Sequence, residues 1–283
     1  MKLDIRAICH KGLVRQNNQD AISIGGILLR DDSASLSVTV PQEGYFYLLA
    51  SDGMGGHENG EQASFQTLEG MNQFFLSLQP PSSSASPEGI PHYASEQIPA
   101  STGPLDDFDE ALRRAVRDIS CRLNDQAAAE GQVRPMGCTL SGVIWYNGTI
   151  RLINAGDSRV YRVRGGIARQ LTTDDNERGI TGNPHASKLL LNCIGGGAEG
   201  RLDIRRLDGK LRPGDILLIC TDGLSDMVET DELETVLSAA GCELESEEAP
   251  GTEGLARTAT DLLRIACEHG GHDNISIILA RVL

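Results

Sequence analysis

The 283-residue chain carries 25 Lys plus Arg against 40 Asp plus Glu, a net charge of −15, with 40% hydrophobic and 23% charged residues. That is a globular composition, and the chain is long enough to bury a core without disulfide staples. The acidic balance and 4% aromatic content argue against a surface that neutralises phosphate backbones or stacks bases.

Leu3, Ile5, Ala7 and Cys9 alternate with Asp4, Arg6 and Ile8, which predicts a half-buried strand. Residues 21–29 are apolar around Gly25-Gly26, a pattern for a bulge or hairpin. Residues 45–51 (YFYLLAS) predict a buried strand that runs into the glycine-rich turn DGMGGHENG. Helical spacing follows over 61–78 through Phe65, Leu68, Met71, Phe75 and Leu78. Residues 79–104 are rich in Ser and Pro without a hydrophobic period, and predict a flexible insertion. A second helix is predicted from Asp107 and Glu110, spaced as a capping box, with Phe108, Leu112, Val116, Ile119 and Leu123 as its apolar stripe.

Strand patterns return at 138–146, 149–155, 159–164, 201–207 and 215–221, divided by NG, GD and GG turn signals. Residues 174–200 read as an irregular loop with a short apolar element at 188–195. Helices are predicted near 231–239 and 254–268, on either side of an acidic loop, before a last strand at 274–283. With no βαβ alternation, antiparallel sheets with helices packed outside fit better than a doubly wound parallel sheet.

Several function classes drop out. There is no P-loop, HExxH or GxSxG. Gly195, Gly197 and Gly200 satisfy GxGxxG, but a strand pattern follows where a dinucleotide fingerprint needs a helix. Seven cysteines form no CxxC pair and read as buried small hydrophobes in a reducing compartment. The N-terminus lacks a signal-peptide apolar run, and the apolar segments are strand-sized, so the expectation is a cytoplasmic protein without a membrane span.

What remains is a set of aspartates at predicted strand ends: Asp20, Asp52, Asp157, Asp222, Asp226 and Asp273. One Asp beside a turn is ordinarily turn chemistry. Several that converge repel one another and cannot all stay ionised without cations. Oxygen ligands suit Mg²⁺ or Mn²⁺, and no His/Cys cluster argues for zinc. Asp222 and Asp226, four apart, would share one side of a helical turn, and the Gly53 carbonyl is a further candidate ligand. Two such ions, about 3.5–4 Å apart, activate a bridging water and neutralise a phosphoryl group. Arg15 is placed in the same segment as Asp20, where its guanidinium can fork two phosphate oxygens.

GLVRQNNQD at 12–20, ASDGMGGHENGEQAS at 50–64, MGCTLSG at 136–142, NAGDSRVYRVR at 154–164, LRPGDILLICTDGLSDMV at 211–228 and GHDNISIIL at 271–279 resemble the metal-dependent protein phosphatase family of the 2C type, in its bacterial form. The resemblance covers nearly the whole chain except the Ser/Pro insertion. It implies an α+β fold, a four-layer αββα sandwich of two antiparallel sheets flanked by helix pairs, with 1–283 as one catalytic domain. It implies hydrolysis of phosphoserine and phosphothreonine esters with Mn²⁺ or Mg²⁺. Asp52 would bridge two core ions, Asp20 would contribute to one, and Asp222 and Asp273 would bind the other with the Gly53 carbonyl. Asp157 and Asp226, with Asp222, match positions for a third ion, and Arg15 would bind the substrate phosphate.

Two positions depart from the family pattern: Gln19 where many members have an acid, and Met54 where eukaryotic members have a proton-donating histidine. His57, three residues further, is a candidate donor. His269 and His272 suggest a metal pair, but Asp273 explains that loop better. By family analogy the partners are phosphoproteins, including a Ser/Thr kinase and its substrates, with the chain a monomer that binds no nucleic acid. The competing readings are a two-metal phosphodiesterase, disfavoured by the charge, and a silent phosphoprotein-binding regulator, disfavoured because every matching aspartate is present.

Overall fold

Period-two alternation sorts the strand residues onto faces, and the faces assemble four layers. The computed structural model describes residues 1–55, 58–78, 106–183, 185–207, 211–242 and 252–283. The first part of the chain forms β1 (Lys2–His10), β2 (Ala21–Ile24), β3 (Ile27–Leu29), β4 (Asp32–Thr39), β5 (Tyr45–Ser51) and β6 (Gly53–Met54), then α1 (Glu58–Ser77) and α2 (Asp106–Ala129). Next come β7 (Gly137–Cys138), β8 (Leu140–Tyr146), β9 (Thr149–Ala155), β10 (Arg159–Arg164), β11 (Ile167–Gln170), the short α3 (Glu177–Thr181), β12 (Ile194–Gly195) and β13 (Asp203–Arg206). The chain ends with β14 (Ile216–Cys220), α4 (Asp222–Ser225), α5 (Thr230–Cys242), α6 (Thr252–Glu268) and β15 (Ile275–Val282).

One antiparallel sheet is ordered β11-β10-β14-β15-β1-β4 and the other β13-β9-β8-β5-β2-β3, with a small ribbon β12-β7-β6. Leu3 and Ile5 of β1, Leu217 and Ile219 of β14, Phe46 and Leu48 of β5 and Trp145 of β8 meet between the sheets. The alternate residues of β5 and β8, Tyr47, Leu49 and Ile144, pack beneath Leu68, Met71 and Phe75 of α1 and Leu112 and Val116 of α2. Leu218, Ile277 and Leu279 do the same beneath Leu233 and Leu237 of α5 and Leu255 and Leu262 of α6. A one-residue slip would turn each apolar set toward the wrong layer, so burial fixes the register. The four-layer αββα architecture therefore stands.

Gly25 and Gly26 both take positive φ, 55° and 102°, and close the two-residue turn of a β2–β3 hairpin. Only a turn of that hand matches the strand twist, so glycine is required there.

Some expectations need correction. β1 is buried on both faces, not half-buried, because α6 covers its far side and Asp4 and Arg6 pair there at 2.6 Å. Asp107 already lies in the first turn of α2, while Glu110 bonds Arg117 at 2.9 Å. Phe65 is 41% exposed, with the Arg30 guanidinium 5.7 Å from its ring. Of the apolar element at 188–195, Leu189 and Leu191 are exposed, and burial is reached only at Ile194–Gly195. Cys9, Cys138 and Cys220 are buried as expected, whereas Cys121 is exposed and Cys193 and Cys267 are half-buried. The Ser/Pro segment at 79–104 and most of the acidic loop at 242–254 lie outside the described residues. Among the described residues, no helix is long and apolar enough to cross a membrane.

Candidate metal centre

Strand pairing gathers the aspartates. Ala21 pairs with Ser51, Arg159 with Cys220, and Cys220 with Ile277. Asp20 before β2, Asp52 after β5, Asp157 before β10, Asp222 after β14 and Asp273 before β15 therefore emerge at one end of the sandwich. Each is the residue where a buried strand stops and its carboxylate can turn across the sheet ends.

Asp20 is fully buried. Its Oδ2 accepts hydrogen bonds from Thr221 Oγ1 at 2.7 Å and Ser276 Oγ at 2.8 Å, while its buried Oδ1 has no partner among the described residues. Asp52 is held by its backbone: its N–H donates to Thr139 Oγ1 at 2.9 Å and its carbonyl accepts from Thr139 N at 2.8 Å. Asp222 opens α4 and also has a buried, unpartnered Oδ1. Asp226 follows one turn later, its N–H donating to the Asp222 carbonyl at 2.7 Å. The helical turn inferred from the four-residue spacing is thus present.

The neighbouring strand-end loops are pinned from the far end of the chain. Asn274 Oδ1 accepts from Gln19 N at 2.8 Å, and its Nδ2 donates to the carbonyls of Lys11 and Asn17 at 2.8 and 3.0 Å. Gly53 N donates to the Gln19 carbonyl at 3.1 Å, and a Cβ on Gly53 would stand 2.0 Å from the Gly60 carbonyl oxygen. Only glycine lets the start of α1 approach this closely.

Cations border the basin. Arg15 Nη2 stands 2.6 Å from Asp273 Oδ2, and its charge is stabilised also by Asp52 and Asp222. Lys188 Nζ lies 2.7 Å from Asp226 Oδ2. Asp174, beneath Asp157, is bound by Arg159 through contacts of 2.7–3.1 Å.

The electrostatics are those of crowded anions. Burial lifts the Asp20 carboxyl to about 7, with Asp222 and Asp273 adding to the rise and the Thr221 and Ser276 hydroxyls opposing it. Burial likewise pushes Asp52 well above the carboxylate range, with the fields of Asp20, Asp222 and Asp273 behind it. Asp222 is raised by burial and by Asp273, and Asp157 is pushed up to about 7 by burial, Asp222 and Asp174. Among the described residues, no three His, Cys, Asp or Glu side chains stand at the spacing of one ion's ligand shell. The carboxylates share one basin instead. Asp20 and Asp222 hold a buried oxygen without a donor, and Asp20, Asp52, Asp157 and Asp222 are each harder to ionise because of acidic neighbours. An all-oxygen donor set of this kind fits a hard divalent cation.

All six aspartates, Gly53 and Arg15 are thus brought to one place. His57 lies outside the described residues. His269 turns elsewhere, its Nδ1 2.7 Å from the Met227 carbonyl. Sequence reasoning missed the supporting hydroxyls: Thr139, Thr221 and Ser276. Their signal was adjacency, since each lies inside or one residue beyond a quoted strand-end motif.

A family model described as Protein phosphatase 2C matches residues 20–258. The chain belongs to the protein phosphatase 2C family. It is 29% identical over 96% of its length to the serine/threonine protein phosphatase PstP of Mycobacterium tuberculosis, of which it spans 44%. It is 25% identical over 95% of its length to the serine/threonine phosphatase stp of Listeria monocytogenes, covering 92% of that protein. The crystal structure of the PstP catalytic domain with two manganese ions superposes with a TM-score of 0.65 at 26% identity, covering 99% of both chains. As a 2C-type member, this chain keeps the two-sheet sandwich and carries its acidic basin where the two sheets end together.

Proposed function

We propose that this chain is a metal-dependent phosphoprotein phosphatase that hydrolyses phosphoserine and phosphothreonine esters, with 1–283 acting as one catalytic domain. The observation that carries the reading is the convergence of Asp20, Asp52, Asp222 and Asp273 on one buried basin within a 2C-family chain. Asp52, reached by the fields of all the others, is the proposed bridging ligand of two Mn²⁺ or Mg²⁺ ions. Asp20 contributes to one, and Asp222, Asp273 and the Gly53 carbonyl to the other. Asp157, Asp222 and Asp226 are the ligands proposed for a third. When bound, such ions supply a water that is nucleophilic at neutral pH and offset the phosphoryl charge.

The chain's own groups do the rest. Arg15 leaves Asp273 to fork the substrate phosphate oxygens. Thr139 holds the Asp52 backbone, and Thr221 and Ser276 orient the Asp20 carboxylate. The His57 imidazole is the proposed proton donor to the departing Ser or Thr oxygen. The proposed partners are phosphoproteins, among them a Ser/Thr kinase and its targets, met in the cytoplasm by a monomer.

Hydrolysis of p-nitrophenyl phosphate with Mn²⁺, with EDTA, and by Asp52→Asn tests the reading. Turnover that needs the metal and fails in the variant supports it. A folded protein inert with every divalent metal would sink it and leave a phosphoprotein-binding role.

A further inference from the structure

Beside the basin lies a second concavity, a cleft of about 830 Å³ between α2, the 174–200 loop and the edge strand β13. Four arginines line it: Arg113 and Arg117 from α2, Arg201 and Arg205 from the β13 side. That is a concentration of positive charge on a chain of net charge −15. The acids nearby are largely engaged. Of the three acids in its lining, Asp203 is paired with Arg205 at 2.6 Å and Asp175 Oδ2 accepts from Gly156 N and Asn192 Nδ2 at 3.0 and 2.7 Å, leaving Glu199, while Arg117 is paired with Glu110 at 2.9 Å. Among the described residues, Arg113 and Arg201 form no ion pair.

One stretch of chain separates the cleft from the acidic basin, and it alternates. Thr173 and Asp175 line the cleft, whereas Asp174 and Asn176 line the basin with Asp157, Asp222 and Asp226. The single segment Thr173–Asn176 therefore contributes to both linings. An extended peptide covers about 10 Å in about three residues at ~3.3 Å each.

We propose that this cleft binds acidic residues flanking the phosphorylated residue of a protein substrate, about three to five positions away. The proposal rests on the phosphoprotein phosphatase reading above and names its substrate class: phosphopeptides with acidic flanks. The phosphate engages the basin, and flanking carboxylates cross the wall to the Arg113 and Arg201 guanidinium groups, where two charge-assisted contacts favour the acidic chain.

The test uses phosphothreonine peptides that differ only in Glu, Ala or Lys at the third to fifth flanking positions. Their kcat/KM is measured with the Mn²⁺-loaded protein. Phosphonate analogues of the same peptides, which cannot be hydrolysed, are measured by fluorescence anisotropy. The Glu peptide is expected to exceed the Ala peptide by about fivefold, through KM rather than kcat, with the Lys peptide lowest. Arg113→Glu with Arg201→Glu should reverse that order, and the double Arg→Lys variant should keep it, with circular dichroism confirming that both are folded. Equal treatment of the three peptides, or a preference that survives charge reversal, overturns the proposal. If p-nitrophenyl phosphate is not hydrolysed at all, the phosphatase reading fails separately. The phosphonate binding order still decides the cleft.

Discussion

Lys188 Nζ and Asp226 Oδ2 stand 2.7 Å apart, so a lysine of the 174–200 loop holds an acid of the candidate metal basin. The ammonium also lowers the cost of ionising Asp222. It acts as a tethered cation beside the residues proposed to hold a third ion, and any ion bound there must displace it. Lys188→Met should tighten the weakest Mn²⁺ site by about threefold, since a half-exposed pair contributes ~0.2–1 kcal/mol. Calorimetric titration of Mn²⁺ reads the change directly. Unaltered stoichiometry and affinity would make the lysine a bystander.

Asp20 depends on two hydroxyls from distant strands. Ser276→Ala removes the 2.8 Å donor to its buried Oδ2 and leaves an anion with one partner fewer. The metal-free protein should lose about 1–3 kcal/mol by urea denaturation. Thr221→Val should cost a similar amount, and more where the hydroxyl also accepts from Ser276 N at 3.0 Å. A loss below a few tenths of a kcal/mol in both would show that water replaces these donors freely.

The crowded carboxylates set a pH dependence with a definite sign. Asp20 and Asp157 rise from 3.8 to about 7 in the metal-free fold. The folded state therefore holds more protons than the unfolded chain between about pH 4 and pH 7, and stability falls as pH rises through that window. Divalent ions offset the repulsion. The rise in melting temperature on adding Mn²⁺ should be larger at pH 7.5 than at pH 5.5. Differential scanning fluorimetry checks this, and an equal rise at both pH values contradicts the account.

Gly53 tests the close approach of α1 to the basin. Gly53→Ala drives a methyl to 2.0 Å from the Gly60 carbonyl oxygen, which is backbone and cannot swing aside. Overpacking of this kind costs about 1–3 kcal/mol or more and displaces the carbonyl proposed as a ligand. Lower thermal stability together with weakened Mn²⁺ binding is expected. A variant that melts and binds as the native chain does would mean that the α1 start shifts without consequence.

The layers were legible because the patterns were strong. The continuous apolar runs YFYLLAS and DILLICT, and helical spacing from Leu68 to Phe75, carry their burial in the residue types themselves. β4 was missed although Ala34, Leu36 and Val38 alternate with serines, because the small polar residues mask the pattern. The full burial of β1 was also invisible. Asp4 and Arg6 look solvent-facing in sequence, and their pairing, with the Arg6 bond to the Ile5 carbonyl at 2.7 Å, offsets the cost of burying them.

The aspartates could be named from sequence because each closes an apolar strand beside a turn residue, a local signature. That they form one basin was an inference; register decided it, since Ala21–Ser51 and Cys220–Ile277 pairing places those strand ends together. The sequence by itself determined the layer order, the acidic candidates and the family resemblance, all properties of neighbours along the chain. Only the tertiary structure decided the donors to Asp20, the lysine against Asp226, the wall at Thr173–Asn176 and the arginine cleft beyond it. Those contacts join residues up to 256 positions apart, and no local propensity encodes which distant side chain a buried carboxylate will meet. Packing of the two sheets chooses it.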